Sequence, residues 1–244
     1  MSNVKRGKLY GLGVGPGDPE LLTVKAVEVL KRVAVVFAAG SPKNNYSLAL
    51  DTIKDYLRPE TEVTTLMFPM TYDRNALSES WEQNARAVLD VLDSGRDAAF
   101  ITIGDSLTYS TFGYLIRTLE KLAPGVDVET VPGITAYHAA AARVNMPLVE
   151  GKESLLVVSG VSDSERMKAL IGLADNLVIL KTYRNFDKIC QSLRETAPDM
   201  KAVLVSRCGI EGERIVKDVD SVAGDDMPYL SLLLVKKNES GQTE

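Results

Sequence analysis

Three short runs carry residue types whose spacing can do chemistry. The first is Gly11-Leu-Gly-Val-Gly-Pro-Gly-Asp-Pro-Glu20, where four glycines alternate with other residues directly after an apolar stretch. Around Pro16 a backbone lacking Cβ at Gly11, Gly13 and Gly15 lets a ligand approach its N–H groups, while Asp18 is set to cap a helix opening at Pro19. The second is Phe100-Ile-Thr-Ile-Gly-Asp-Ser-Leu-Thr-Tyr-Ser-Thr-Phe112, an apolar strand ending in a glycine, a carboxylate and a run of hydroxyls. Such a strand end is where an α/β sheet offers its ligand crevice. The third is Val131-Pro-Gly-Ile-Thr-Ala136, a turn leading into a helix start whose N–H groups attract a carboxylate. Each has a plain rival: a tight connection, a hydroxyl-rich helix cap and a Pro-Gly turn.

Several chemistries do not fit. A dinucleotide fingerprint needs a third glycine inside the helix and an acidic residue after the second strand. The helix region 19–32 has no such glycine, and Ala34-Val-Val-Phe37 runs into Ala-Ala-Gly-Ser-Pro-Lys without a carboxylate. A Walker-type loop closes with Gly-Lys-Ser/Thr, whereas this one closes with Gly-Asp-Pro. Cys208 lacks a partner to lower its pKa, since the single histidine, His138, lies in the alanine-rich helix Thr135-Ala-Tyr-His-Ala-Ala-Ala-Ala142 and reads as a packed, hydrogen-bonded residue. One histidine and two distant cysteines, Cys190 and Cys208, make no zinc spacing, so no metal site is expected. The charge runs at Asp163–Arg166 and Glu211–Arg214 read as solvated turns.

The elements that must position these runs alternate short β-branched stretches with amphipathic ones, the signature of α/β layers. Strands are expected near 8–14, 33–37, 62–66, 98–103, 126–131, 154–158, 176–180, 202–206 and 230–235. Helices are expected near 19–32, 46–56, 78–94, 110–122, 134–144, 163–173 and 185–196. In the 78–94 stretch Trp81, Ala85, Val88, Leu89 and Leu92 recur at helical spacing opposite Glu79, Glu82, Arg86, Asp90 and Asp93, which makes Trp81 a core residue. Leu122-Ala-Pro-Gly125 reads as a boundary, giving domains over 1–122 and 123–237 with a polar tail over 238–244. The chain has 244 residues, 45% hydrophobic and 25% charged, with a net charge of −5. That is a soluble globule without a broad basic face for nucleic acid. The absence of a leader pattern or an apolar run of membrane length makes a cytoplasmic protein the expectation.

At this order and spacing the three runs together resemble the tetrapyrrole methylase family. Gly104-Asp-Ser-Leu-Thr-Tyr-Ser-Thr-Phe112 is similar to the pattern of its precorrin-2 C20-methyltransferase branch, with Ser106 where the family usually has proline; Lys181-Thr-Tyr-Arg-Asn185 and Pro228-Tyr-Leu-Ser-Leu-Leu-Leu-Val235 are similar to that branch too. The resemblance runs from about residue 7 to residue 237. It implies two α/β domains of different topology with the active site in the cleft between them. It further implies S-adenosyl-L-methionine as methyl donor, a tetrapyrrole substrate (precorrin-2 or cobalt-factor II) in cobalamin synthesis, and a homodimer. Carried over position by position, it puts Pro16, Ile103, Gly104, Asp105, Thr108, Ser110, Thr111, Thr135, Ala136, Tyr183, Cys208 and Gly209 at the donor. Gly11, Gly13 and Gly15 then face the macrocycle, and Lys43, Arg74, Arg143, Lys152 and Arg184 are cations near loop ends for its carboxylates. Asp18, Asp105 or water would take the proton that leaves C20. Alternatives are another member of this fold, such as a uroporphyrinogen III, RNA or diphthamide methyltransferase, or a binding module without turnover. The scarcity of clustered Lys and Arg weighs against the RNA version.

Overall fold

Alternation of apolar side chains decides how the first sheet is covered. In the strand β1 (Leu9–Gly13), Leu9 points to one face and Tyr10 and Leu12 to the other. The computed structural model describes residues 5–40, 47–69, 71, 73–161 and 163–236. It divides into two units, Met1–Thr135 and Ala136–Glu244. Among the described residues no helix is long and apolar enough to cross a membrane.

The N-terminal unit is a five-stranded parallel sheet of order β3-β2-β4-β1-β5, built from β1, β2 (Val35–Gly40), β3 (Glu62–Met67), β4 (Ala98–Thr102) and β5 (Val128–Val131). On one face Tyr10, Leu12, Val36 and Ile101 pack against α1 (Val24–Leu30) and α2 (Leu48–Ile53) through Ala26, Val29, Leu30 and Ile53. On the other, Leu9, Val35, Phe37 and Phe100 pack against α3 (Arg74–Asp93) and α4 (Phe112–Leu122) through Val88, Leu92, Phe112 and Leu115. Strands buried on both sides read as near-continuous apolar runs, as Ala98–Thr102 does. Trp81 lies in this second layer, its ring 4.5 Å from Phe68 and 5.1 Å from Tyr114.

The second unit is a mixed sheet of order β6-β7-β10-β8-β9, made of β6 (Leu155–Ser159), β7 (Asn176–Leu180), β8 (Lys201–Ser206), β9 (Arg214–Val216) and β10 (Ser231–Lys236). β6 and β7 are parallel, and β10 runs antiparallel between β7 and β8. α6 (Ser164–Ile171) and α7 (Phe186–Thr196) cover one face with Met167, Ile171, Phe186, Ile189 and Leu193; Ala140 and Ala141 of α5 (Ala136–Val144) cover the other.

Three expectations change. The boundary at Leu122 moves to Thr135, because β5 pairs with β1 and so belongs to the first sheet. The helix expected over 19–32 is two pieces: a 3-10 turn at Pro19–Leu21 and α1. Leu22 is extended (ψ 139°), and Thr23 restarts the helix by accepting from the amide of Ala26 through Oγ1. The stretch 46–56 likewise ends in a 3-10 turn, Lys54–Tyr56. Lys43 and the polar tail over 238–244 lie outside the described residues.

Candidate functional site

Parallel pairing brings the carboxyl ends of β4, β1 and β5 side by side, and glycine then lets their loops meet backbone to backbone. Beyond β1 the ladder continues: the Val14 amide donates to Thr102 O (2.9 Å), and Gly15 and Gly104 exchange both backbone hydrogen bonds (3.2 and 2.7 Å). Gly133 closes the group. A Cβ there would lie 2.2 Å from Gly104 O and 2.6 Å from the carbonyl carbon of Gly13, so no side chain fits. Gly104 is different: it is buried at φ +74°, yet a Cβ there would meet only Thr135 Cα, at 3.9 Å. A methyl-sized group fits beside the Gly104 backbone.

Asp105 binds these loops together. Its Oδ1 accepts from the amides of Leu107 and Thr108 (both 2.9 Å) and from the Thr108 hydroxyl (3.0 Å), and its Oδ2 accepts from the amide of Gly133 (3.2 Å). Partial burial alone would raise this carboxyl, but the donated hydrogen bonds from Leu107, Thr108 and Gly133 hold it below the usual carboxylate range. A carboxylate with both oxygens engaged and a depressed pKa is a poor proton acceptor near neutrality. Its expected part in proton removal would have to compete with these four hydrogen bonds. Ser106, fully buried, directs its hydroxyl to Val131 O at 3.5 Å. The Ser110 hydroxyl accepts from the amide of Phe112 and so starts α4, with Thr111 as the preceding residue of the helix. The hydroxyls of Thr108 and Ser110, expected on the donor, are thus tied into the loop itself. Tyr109, half exposed at φ +52°, takes a left-handed backbone uncommon for a bulky residue.

Two of the glycines expected at the macrocycle lie against other protein atoms. A Cβ at Gly11 would sit 1.9 Å from the Phe112 ring, and one at Gly13 would sit 2.5 Å from the amide nitrogen of Gly133. Gly15 has left-handed backbone (φ +75°), and a Cβ there would lie 3.1 Å from Leu21 O. Pro16 is buried beside it, and Ile103, half-buried, packs on the layer under α1. Asp18 accepts from the amide of Glu20 (2.9 Å) as the cap of the 3-10 turn. Arg74 is exposed in the first turn of α3.

In the second unit β7 and β8 run in the same direction on either side of β10, so their carboxyl ends share one sheet edge. Both ends carry backbone strain: Lys181 (φ +58°) follows β7, and Arg207 (φ +50°) follows β8. Residue type gave no hint of either, since neither is glycine or asparagine. Tyr183 stands in the turn after Lys181, its ring 5.1 Å from that of Tyr229, and the Arg184 guanidinium lies over it at 5.2 Å. Cys208, half-buried, and Gly209 (φ +74°) follow Arg207. Thr135 is buried at the end of the first unit, and Ala136 opens α5. Arg143, expected at a substrate carboxylate, is held elsewhere: its Nε donates to Glu213 Oε1 at 2.8 Å. His138 lies in α5 as expected and is exposed, its ring 4.5 Å from that of Tyr137. Lys152 is exposed. Among the described residues no group of three His, Cys, Asp or Glu side chains could hold a metal ion.

The chain resembles known proteins from end to end. The family model described as Tetrapyrrole (Corrin/Porphyrin) Methylases matches residues 8–223. A protein of Methanocaldococcus jannaschii named probable cobalt-precorrin-2 C(20)-methyltransferase is 39% identical over 94% of this chain and 96% of its own length. The cobalt-precorrin-2 C(20)-methyltransferase of Salmonella typhimurium is 34% identical over 95% and 97%. Among solved structures, uroporphyrin-III C-methyl transferase from Thermus thermophilus, complexed with S-adenyl homocysteine, has the same fold, with a TM-score of 0.68 at 24% identity over 94% of this chain and 97% of that one. Matched by the family model over most of its length and by relatives above 30% identity over nearly all of it, the chain belongs to the tetrapyrrole (corrin/porphyrin) methylase family.

Proposed function

We propose that this protein is an S-adenosylmethionine-dependent methyltransferase that methylates the C20 meso carbon of precorrin-2 in its cobalt-bearing form, acting in the cytoplasm as a homodimer in cobalamin synthesis. The observation that carries this reading is the two relatives named for that reaction, aligned over 94–95% of the chain with no large segment unmatched on either side.

The residues present suit the donor. Buried Gly104, with open room where its Cβ would be, offers backbone to a ligand at the end of β4; Thr135 lines the same room. With Ile103, Asp105, Ala136, Tyr183, Cys208 and Gly209 these are the residues that would hold it. S-adenosylmethionine supplies a sulfonium methyl group already activated for displacement, so the protein contributes alignment and a dry surface and needs no nucleophile of its own. Alignment comes from the glycine contacts and the Asp105 hydrogen bonds, which fix the three loops against one another. Arg74, Lys152 and Arg184, exposed on the surface, are the cations for the substrate's carboxylates. Methylated C20 must lose a proton to restore conjugation. Asp18 engages one carboxylate oxygen with the Glu20 amide and is less committed than Asp105, so Asp18 or water takes that proton.

The test is incubation with methyl-labelled donor and either cobalt-precorrin-2 or its metal-free form. Label should enter the cobalt substrate once per molecule and at the higher rate. No label in either macrocycle would overturn the proposal.

A further inference from the structure

We infer that Glu213 is a positioning residue for the methyl donor, holding the Cys208–Gly209 loop in shape by a hydrogen bond to the Gly209 amide while anchored to helix α5 through Arg143. The inference rests on the proposed reading that Cys208 and Gly209 face the donor; the clamp itself is independent of that reading.

Arg207 takes left-handed backbone at φ +50°, a strained conformation for a residue with a Cβ that persists only where its surroundings over-determine it, while Gly209 and Gly212 enter the same region freely at +74° and +80°. Three observations supply the determination. The Arg207 amide donates to Leu230 O (2.8 Å), the Arg207 Nε donates to Glu211 O (2.6 Å), and Glu213 Oε2 accepts from the Gly209 amide at 2.8 Å. The third is made by a side chain whose other oxygen reaches a helix: Glu213 Oε1 accepts from Arg143 Nε at 2.8 Å. Arg143 lies in the last turn of α5, two turns beyond Ala136, another residue proposed at the donor. One carboxylate thus ties two donor-facing segments of the second unit to each other. Its side chain is 18% exposed where that of Arg143 is 61% exposed, so water competes little at the glutamate. The Gly209 amide and the Arg143 pair hold Glu213 ionised, below the usual carboxylate range.

The experiment measures S-adenosylhomocysteine affinity by calorimetry and amide hydrogen exchange of the peptide spanning 207–213, in the full chain and in Glu213→Gln, Arg143→Met and Arg143→Lys. Glu213→Gln keeps the shape but removes the charge that orders both partners. It should raise the dissociation constant about tenfold and speed exchange of that peptide without ligand. The donor KM should rise in step while kcat at saturating donor stays within about twofold, a split that a general loss of stability would not produce. Arg143→Met should act in the same direction by a smaller factor, and Arg143→Lys should restore most of the affinity. Ligand that slows exchange of the peptide in the unaltered chain, combined with unchanged affinity in Glu213→Gln, would overturn the clamp and leave the donor reading standing. Ligand that does not slow it would remove the loop from the donor site and the inferred role with it.

Discussion

Replacing Gly133 by alanine puts a methyl group into the close backbone approach between the loops that follow β1, β4 and β5. The new Cβ would lie 2.2 Å from Gly104 O and 2.6 Å from the carbonyl carbon of Gly13, where ordinary contact begins at 3.4 Å. Neither neighbour is a side chain that can swing away, so the loops after β1, β4 and β5 must separate by roughly 1 Å in an interior packed like a crystal. Accommodating one extra methyl by such a shift costs about 1–3 kcal/mol, which a domain of ordinary stability survives folded. Catalysis is less tolerant, because a misplacement of about 1 Å at a reacting centre lowers a rate about 100-fold. Gly125→Ala is the control: Gly125 has φ +78° but nothing within 4 Å of a Cβ. It should lose about 1–2 kcal/mol through backbone strain alone. Urea unfolding of both variants, with methyl transfer measured per folded molecule, separates the two effects. The expected result is similar destabilisation in both and a large loss of rate only in Gly133→Ala. Equal rates per folded molecule would refute the view that these glycine contacts align the donor loops.

Asp105→Asn should lower the melting temperature by several degrees, because the amide cannot satisfy all four donors, and should weaken donor binding through the loosened loop. Since the carboxyl of Asp105 sits below its ordinary value in the fold, its stabilisation is complete above the unfolded pKa and is lost as pH falls through the lower folded value. The difference in melting temperature between the two proteins should stay level from pH 8 to 5 and shrink only below about pH 4; shrinkage between pH 6 and 8 would contradict it. Cys190, 3% exposed, has its thiol pushed up to about 11 by burial. Mass spectrometry after iodoacetamide treatment at pH 8 should find Cys190 unmodified in native protein and modified after denaturation; native labelling at the rate of a free thiol would show that the layer under α7 opens.

The strands were legible because buried central strands leave long apolar runs: Asn176–Leu180 was expected at its observed limits and Ala98–Thr102 within one residue. β9 was not, since three exposed or half-exposed residues on an edge leave no alternation to see. Nor was the break before α1, where Thr23 caps a second start inside a continuous amphipathic pattern. The second-domain boundary was misplaced because Ala123-Pro-Gly125 is a real turn, but one that returns the chain to the same sheet; pairing of Val128–Val131 with β1 is a long-range fact that no local signal carries. In the site, the three chemistry-bearing runs were visible by residue type, and β4, β1 and β5 bring their loops together. The direction of each glycine was not visible. Gly11 and Gly13 make way for Phe112 and Gly133, contacts that no local pattern shows. Glu213 was hidden in a solvated-looking charge run, for its role depends on Arg143, 70 residues away.

The proposed activity is defined by where the methyl group goes. Supplying a donor with a carbon-13 methyl group, together with cobalt-precorrin-2, and locating the label in the product by NMR tests it directly. A single new methyl group is expected on the meso carbon C20 in a product formed at catalytic turnover. A methyl group on a pyrrole-ring carbon, or no transfer to the macrocycle at all, would contradict it.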